Sequence, residues 1–110
     1  MAEPIEEMTM TTFVELTRFK VAPDQVDALL AARPAMLTAF RADRQGFVDA
    51  RLVRLPDEEW LDIVEWRSAD DFAASRAKGA NLPGIAAFFA AIAEVVGDEQ
   101  GALADPERDR

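Results

Sequence analysis

The sequence predicts an α+β domain of ferredoxin-like βαββαβ order, an antiparallel sheet with helices on one face. Three observations predict it. Several segments alternate apolar and polar residues with the period of a strand, and between them others repeat at the spacing of a helix. A short Pro56-Asp57-Glu58 link joins two of the strand segments and makes them an antiparallel hairpin. Finally, Glu59 to Trp66 is apolar on both faces: Trp60, Asp62, Val64 and Trp66 share one side, Leu61, Ile63 and Glu65 the other. Such a strand must be covered twice. Helices cover one face, and a second copy of the chain is expected on the other.

The first strand falls within Met10 to Val21, with Phe13, Glu15, Thr17, Phe19 and Val21 on one face and Val14, Leu16, Arg18 and Lys20 on the other. Pro23 suits a first helical position, and Asp24 suits the positive first turn. Val26, Leu29, Leu30, Arg33, Leu37 and Phe40 recur at helical spacing to about Asp43. Pro34 removes a bond to the Leu30 carbonyl, so a kink or break is expected there. Gly46 ends this unit.

Phe47 to Leu55 reads as the second strand, with Phe47, Asp49, Arg51 and Val53 opposite Val48, Ala50, Leu52 and Arg54. The third strand runs into Ser68, an N-cap with Asp71 three residues on. A helix follows from about Ala69 to Lys78, closed by Gly79. After Asn81-Leu82-Pro83-Gly84, the residues Ile85, Phe88, Phe89, Ile92 and Val96 mark a last helix ending at Gly97. The tail holds either a weak edge strand around Gly101 to Ala104 or no ordered element. The expected organisation is a mobile arm over residues 1–9, a domain over 10–97 and a polar tail over 98–110.

Composition narrows the chemistry. Cysteine, histidine and tyrosine are all absent from the 110 residues. Disulfides, thiolate sites and histidine-ligated zinc or haem are thereby excluded, as is the commonest general base. No metal site and no cofactor is expected. A net charge of -9 argues against nucleic acid and anionic membranes as partners. No apolar run is long enough to span a bilayer. The acidic start, Met1-Ala2-Glu3-Pro4-Ile5-Glu6-Glu7, lacks the pattern of a signal peptide, so a cytoplasmic protein is expected. The bare sheet face would carry Val14, Leu16, Leu61 and Ile63, an apolar surface that normally marks an interface. A homodimer packed sheet to sheet follows.

Three stretches, Val14–Val21 followed by Ala22-Pro23-Asp24, the Gly46-Phe47 start of strand two, and Asp62-Ile63-Val64-Glu65-Trp66-Arg67-Ser68 leading into a helix, carry a family resemblance. Across residues 11 to 96 the chain resembles the antibiotic biosynthesis monooxygenase family of dimeric α/β barrels. That family includes cofactor-free oxygenases of polyketide quinone precursors, haem-degrading enzymes and many members of unknown activity. The resemblance implies a pocket between sheet and helices, with Trp66 at the family's tryptophan position and Asp62 at its polar position four residues earlier. A family asparagine falls at Thr17, and a histidine of the following helix falls near Ser75; both are changed here.

A pocket against that face would gather Phe13, Glu15, Thr17, Phe19, Trp60, Asp62 and Trp66, with Phe40, Phe72, Phe88 and Phe89 from the helices and Ser75 at the histidine position. Aromatic walls with one or two carboxylates suit a flat phenolic ligand. Cofactor-free oxygenation needs that ligand deprotonated, and Asp62 is the first choice of base, Glu15 the second. Plainer readings stand beside these. Trp66 and the Phe88-Phe89 pair serve as packing, Asp62 pairs with Arg51 or Arg33, and Arg67, Arg76 and Lys78 form a solvated face. Three functions follow: a small monooxygenase of aromatic polyketide-like substrates, a ligand-binding dimer without that chemistry, or a barrel whose pocket is filled by its own side chains.

Overall fold

The computed structural model describes residues 11–105; the expected N-terminal arm, 1–9, lies outside them. Four strands, β1 (Phe13–Lys20), β2 (Phe47–Arg54), β3 (Glu59–Trp66) and β4 (Glu94–Ala102), form one antiparallel sheet in the order β2-β3-β1-β4. Three helices accompany it: α1 (Val26–Asp43), introduced by a single 3-10 turn at Pro23–Gln25, α2 (Ala69–Lys78) and α3 (Pro83–Ala90). This is the ferredoxin-like α+β arrangement the sequence predicts. Among the described residues, no helix is long and apolar enough to cross a membrane.

The pairing of β1 with β3 sets the face that matters. Phe13 lies opposite Trp66, Glu15 opposite Val64, Thr17 opposite Asp62 and Phe19 opposite Trp60. This side is covered by helices: Phe19, Trp60, Val64 and Trp66 are buried together with Leu29, Met36 and Phe40 of α1 and Ile85 and Phe88 of α3. The other side carries Val14, Leu16, Leu61 and Ile63, each half-buried within the single chain.

Local signals are realised at the ends of the elements. Ser68 Oγ accepts from the Asp71 N–H at 3.1 Å, capping α2. Gly46 has φ +80, and a Cβ there would fall 2.0 Å from the Asp71 carboxylate, so no other residue fits. The β2–β3 hairpin turns through Asp57 and Glu58, both with positive φ, closed by a Glu59 N–H to Pro56 carbonyl bond. Positive φ at both central residues is what a type I′ turn requires, and that turn matches the twist of the strands.

Three expectations are corrected. Of the kink or break expected at Pro34, the break does not occur: α1 is continuous. Leu30 and Pro34 both lie on its exposed side, where water can satisfy the freed carbonyl. Phe47 does not share a face with Asp49 and Arg51. A bulge between Phe47 and Asp49 turns Phe47 inward, opposite Trp66, and puts Ala50, Leu52 and Arg54 on the helix side. The last helix stops at Ala90, not Gly97. The chain leaves it as the Ala93 N–H bonds the Lys20 carbonyl, and residues 94–102 add β4 beside β1. Gly97 is therefore a strand residue, packed so closely on Arg18 that a Cβ would meet its side chain at 3.3 Å.

Candidate functional site

A strand of eight residues is about 26 Å long, and the helices leave a cavity over the middle of β1 and β3. The cavity holds about 500 Å3, within the usual range for small-molecule sites. Glu15, Thr17 and Phe19 enter from β1, Asp62 and Val64 from β3, Met36 and Phe40 from α1, Arg76 from α2, and Phe88 and Phe89 from α3. Ile92, Ala93, Val95 and Asp98 complete the wall as the chain passes into β4. Most of this lining is apolar, and Phe89 and Val95 are exposed at 44% and 56%.

Asp62 and Glu15 face the cavity from neighbouring strands, each paired with a guanidinium. Asp62 is 8% exposed and forms a bidentate pair with Arg33, Nη1 to Oδ2 at 2.8 Å and Nη2 to Oδ1 at 2.9 Å. The planar fork of arginine matches both oxygens at once, which fixes the carboxylate plane as well as its charge. The Arg33 guanidinium also lies 5.2 Å over the Phe88 ring, tying the pair to α3.

Glu15 accepts from the Trp66 indole N–H on Oε1 at 3.0 Å and from Arg76 Nε on Oε2 at 3.0 Å. Arg76 then spans to β4, its Nη1 and Nη2 on the two oxygens of Asp98 at 3.1 and 2.7 Å. The hydrogen bond to Asp98, with that to Glu15, holds the guanidinium pKa above its ordinary value. Arg76 also stacks over Phe72 at 4.9 Å. It is thus a member of the wall as well as a partly solvated side chain, 43% exposed.

Of the residues the sequence singled out, Glu15, Thr17, Phe19, Asp62 and Phe88 come together at the cavity, with Phe40 and Phe89. The others lie elsewhere. Trp66 is fully buried beneath it, packed on Phe40 and Phe47, and its polar link to the site is the indole N–H bond to Glu15. Phe13 and Phe72 stack on each other, centroids 5.2 Å apart, beyond one end of the cavity. Trp60 lies at the other end of β3 under Arg54, and its buried Nε1 has no hydrogen-bond partner among the described residues.

Ser75 is turned away from the cavity. It accepts from Arg44 Nε at 2.8 Å in a buried cluster that joins the ends of α1 and α2. In the same cluster Asp43 Oδ2 accepts from Arg44, Lys78 and Asn81. Sequence reasoning missed Arg76 and Asp98 as site residues. The Asp98 position depended on a strand that composition did not reveal.

One family model matches the chain. The family model described as antibiotic biosynthesis monooxygenase matches residues 12–93. No curated protein matches the sequence. Among solved structures, SnoaB of Streptomyces nogalater, a cofactor-independent oxygenase, is 27% identical with a TM-score of 0.56, over 89% of this chain and 96% of its own. Rv0793 of Mycobacterium tuberculosis is 21% identical with a TM-score of 0.59, over 91% of this chain and 100% of its own. MupZ of Pseudomonas fluorescens reaches a TM-score of 0.66 at 13% identity, over 91% of this chain and 71% of its own. A family match across most of the sheet and all three helices, with the fold repeated in these neighbours, leads to one assignment: the chain belongs to the antibiotic biosynthesis monooxygenase family.

Proposed function

We propose that this protein is a cofactor-independent monooxygenase acting on a flat, aromatic, polyketide-like phenol. The observation that carries the reading is the pair of carboxylates, Asp62 and Glu15, facing an apolar cavity walled by Phe19, Phe40, Phe88 and Phe89. Kinship with SnoaB supports it.

In the proposed reaction, Asp62 accepts a proton from the substrate, with Glu15 as the second candidate. The resulting anion is electron-rich enough to reduce dioxygen, and the two radicals recombine as a peroxide at the ring carbon. Collapse of the peroxide leaves one oxygen atom as a carbonyl, and the other departs as water with the two hydrogens of the oxidised carbon. Trp66 serves as a positioning residue, since it lies outside the cavity lining and holds Glu15 through its indole N–H. Phe19, Thr17 and Phe88 contact the ligand.

The working unit of the proposal is a homodimer. The helix-free face with Val14, Leu16, Leu61 and Ile63 supports a second copy packed there, giving the dimeric α/β barrel.

The test is oxygen uptake with an anthrone-type phenol. Wild type should consume oxygen, and Asp62→Asn should lose most of the rate while still binding the ligand. Binding without oxygen consumption would favour the second reading, a ligand-binding dimer. The guanidinium already occupying Asp62 is the observation on that reading's side.

A further inference from the structure

The polar groups of this cavity are unequal in kind. Each of the six oxygens of Glu15, Asp62 and Asp98 accepts one hydrogen bond from the protein. A carboxylate oxygen has room for about two, so every one retains capacity to accept from a ligand.

Donors are fewer. Arg76 gives Nε to Glu15 and one hydrogen from each terminal nitrogen to Asp98, and its Nη2 also lies 3.0 Å from Glu15, so it keeps one or two free N–H groups against six unfilled acceptor sites. The backbone N–H groups of Ile92 and Ala93, where a loop could have offered a nest for an anion, bond the carbonyls of Phe89 and Lys20. Thr17 adds one hydroxyl. Charge points the same way: three carboxylates against Arg76 and the Arg33 behind Asp62 leave the wall net negative by one.

We infer that the cavity selects a neutral ligand that donates hydrogen bonds through phenolic or enolic O–H groups, and rejects the same skeleton carrying a carboxylate. This rests on the function proposed above and adds a charge requirement to it. A ligand carboxylate would give up its water for a wall of like charge with few donors to replace that water. A phenol O–H meets unfilled acceptors instead, and the proton it presents is already aimed at Asp62 or Glu15. Asp98 and Arg76 set this preference from the cavity wall, one on each side of the charge balance.

The experiment compares a dihydroxyanthrone with the same ring system bearing one carboxylate. Binding is followed under nitrogen at neutral pH by quenching of tryptophan fluorescence. The neutral compound should bind at least about tenfold more tightly. Asp98→Asn, which removes a negative charge, should shrink that ratio several-fold, and Arg76→Gln, which removes the positive one, should widen it. Equal or tighter binding of the carboxylate, or a ratio unmoved by both variants, overturns the inference and leaves the proposed oxygenase standing. Selective binding of the neutral compound without oxygen uptake in air supports the inference and removes the oxygenase. Binding of neither compound overturns both.

Discussion

The indole N–H of Trp66 donates to Glu15 Oε1 at 3.0 Å, so a fully buried core residue holds a carboxylate that lines the cavity. The bond crosses from β3 to β1, between residues offset by two from their direct partners. A hydrogen bond to a charged acceptor contributes about 1.5–3 kcal/mol. Trp66→Phe should therefore cost about 3 kcal/mol or more once the smaller ring's cavity is included. Trp60→Phe is the control, because its buried Nε1 has no partner to lose among the described residues. It should cost clearly less in the same urea titration. Equal losses would mean that the Trp66–Glu15 bond adds nothing beyond ring volume.

Asp43 predicts how stability responds to acid. Hydrogen bonds from Asn81 and Lys78, with that from Arg44, hold its carboxyl below the ordinary aspartate range. A carboxyl depressed in the folded state stabilises the protein above its unfolded pKa and loses that contribution as pH falls through the folded one. Asp43→Asn should thus be less stable than wild type by a constant margin above about pH 5, where an unfolded Asp (pKa about 3.9) is ionised. The margin should narrow once the pH drops below that ordinary aspartate value. Urea midpoints of the two proteins measured from neutral pH into acid will check this. A margin that persists unchanged at the acid end would show that the carboxylate charge is not what the cluster uses.

How much of the fold and the cavity is legible in the sequence depends on one-sided burial. In β1 and β3 one face is buried against helices, so alternation alone places Glu15, Thr17, Phe19 and Asp62 together. Edge strand β4, with only β1 beside it, is mostly exposed, and its Glu-Val-Val-Gly-Asp-Glu-Gln-Gly-Ala carries no alternation to read. Its bulge brings Val95 opposite Phe19 and Asp98 opposite Thr17, an offset of register that composition does not encode. Arg76 sits in the last turn of α2, where basic residues usually answer the helix dipole. Only the tertiary contact with Glu15 and Asp98 gives it a second role. Arg33 did leave a trace: it occupies a core position in the helical repeat of α1, where an unpaired charge would be costly.

The β2–β3 turn offers a gain in stability at a place remote from the cavity. Asp57 and Glu58 both adopt positive φ, 62 and 64. Aspartate tolerates that region, whereas the left-handed conformation costs an ordinary side chain about 1–2 kcal/mol. Glycine is the preferred second residue of this turn type. Glu58→Gly gives up some of the gain by loosening the unfolded chain, and the net result should be a stabilisation of about 0.5–1 kcal/mol, with ligand binding unchanged. Thermal unfolding of the variant checks it, and a lower midpoint would show that Glu58 makes a contact worth more than its backbone strain.

Arg33 and Asp62 set the balance between folding and chemistry in the cavity. Both are nearly buried, at 9% and 8% exposure, and their two hydrogen bonds leave neither charge alone. Breaking such a pair by removing one partner typically costs about 3–5 kcal/mol, because the other charge stays buried and unmatched. Arg33→Met should therefore lose about that much, and Asp62→Asn, which keeps an acceptor for the guanidinium, should lose less. The double variant Arg33→Met/Asp62→Leu should recover much of the loss, since apolar groups of similar size can replace a buried ion pair at little net cost. Urea titration of the three variants decides the stability side. Oxygen uptake decides the other: a double variant that folds well yet no longer oxidises an anthrone-type phenol would separate the role of Asp62 in catalysis from its role in the core, and one that retains the full rate would remove Asp62 as the base.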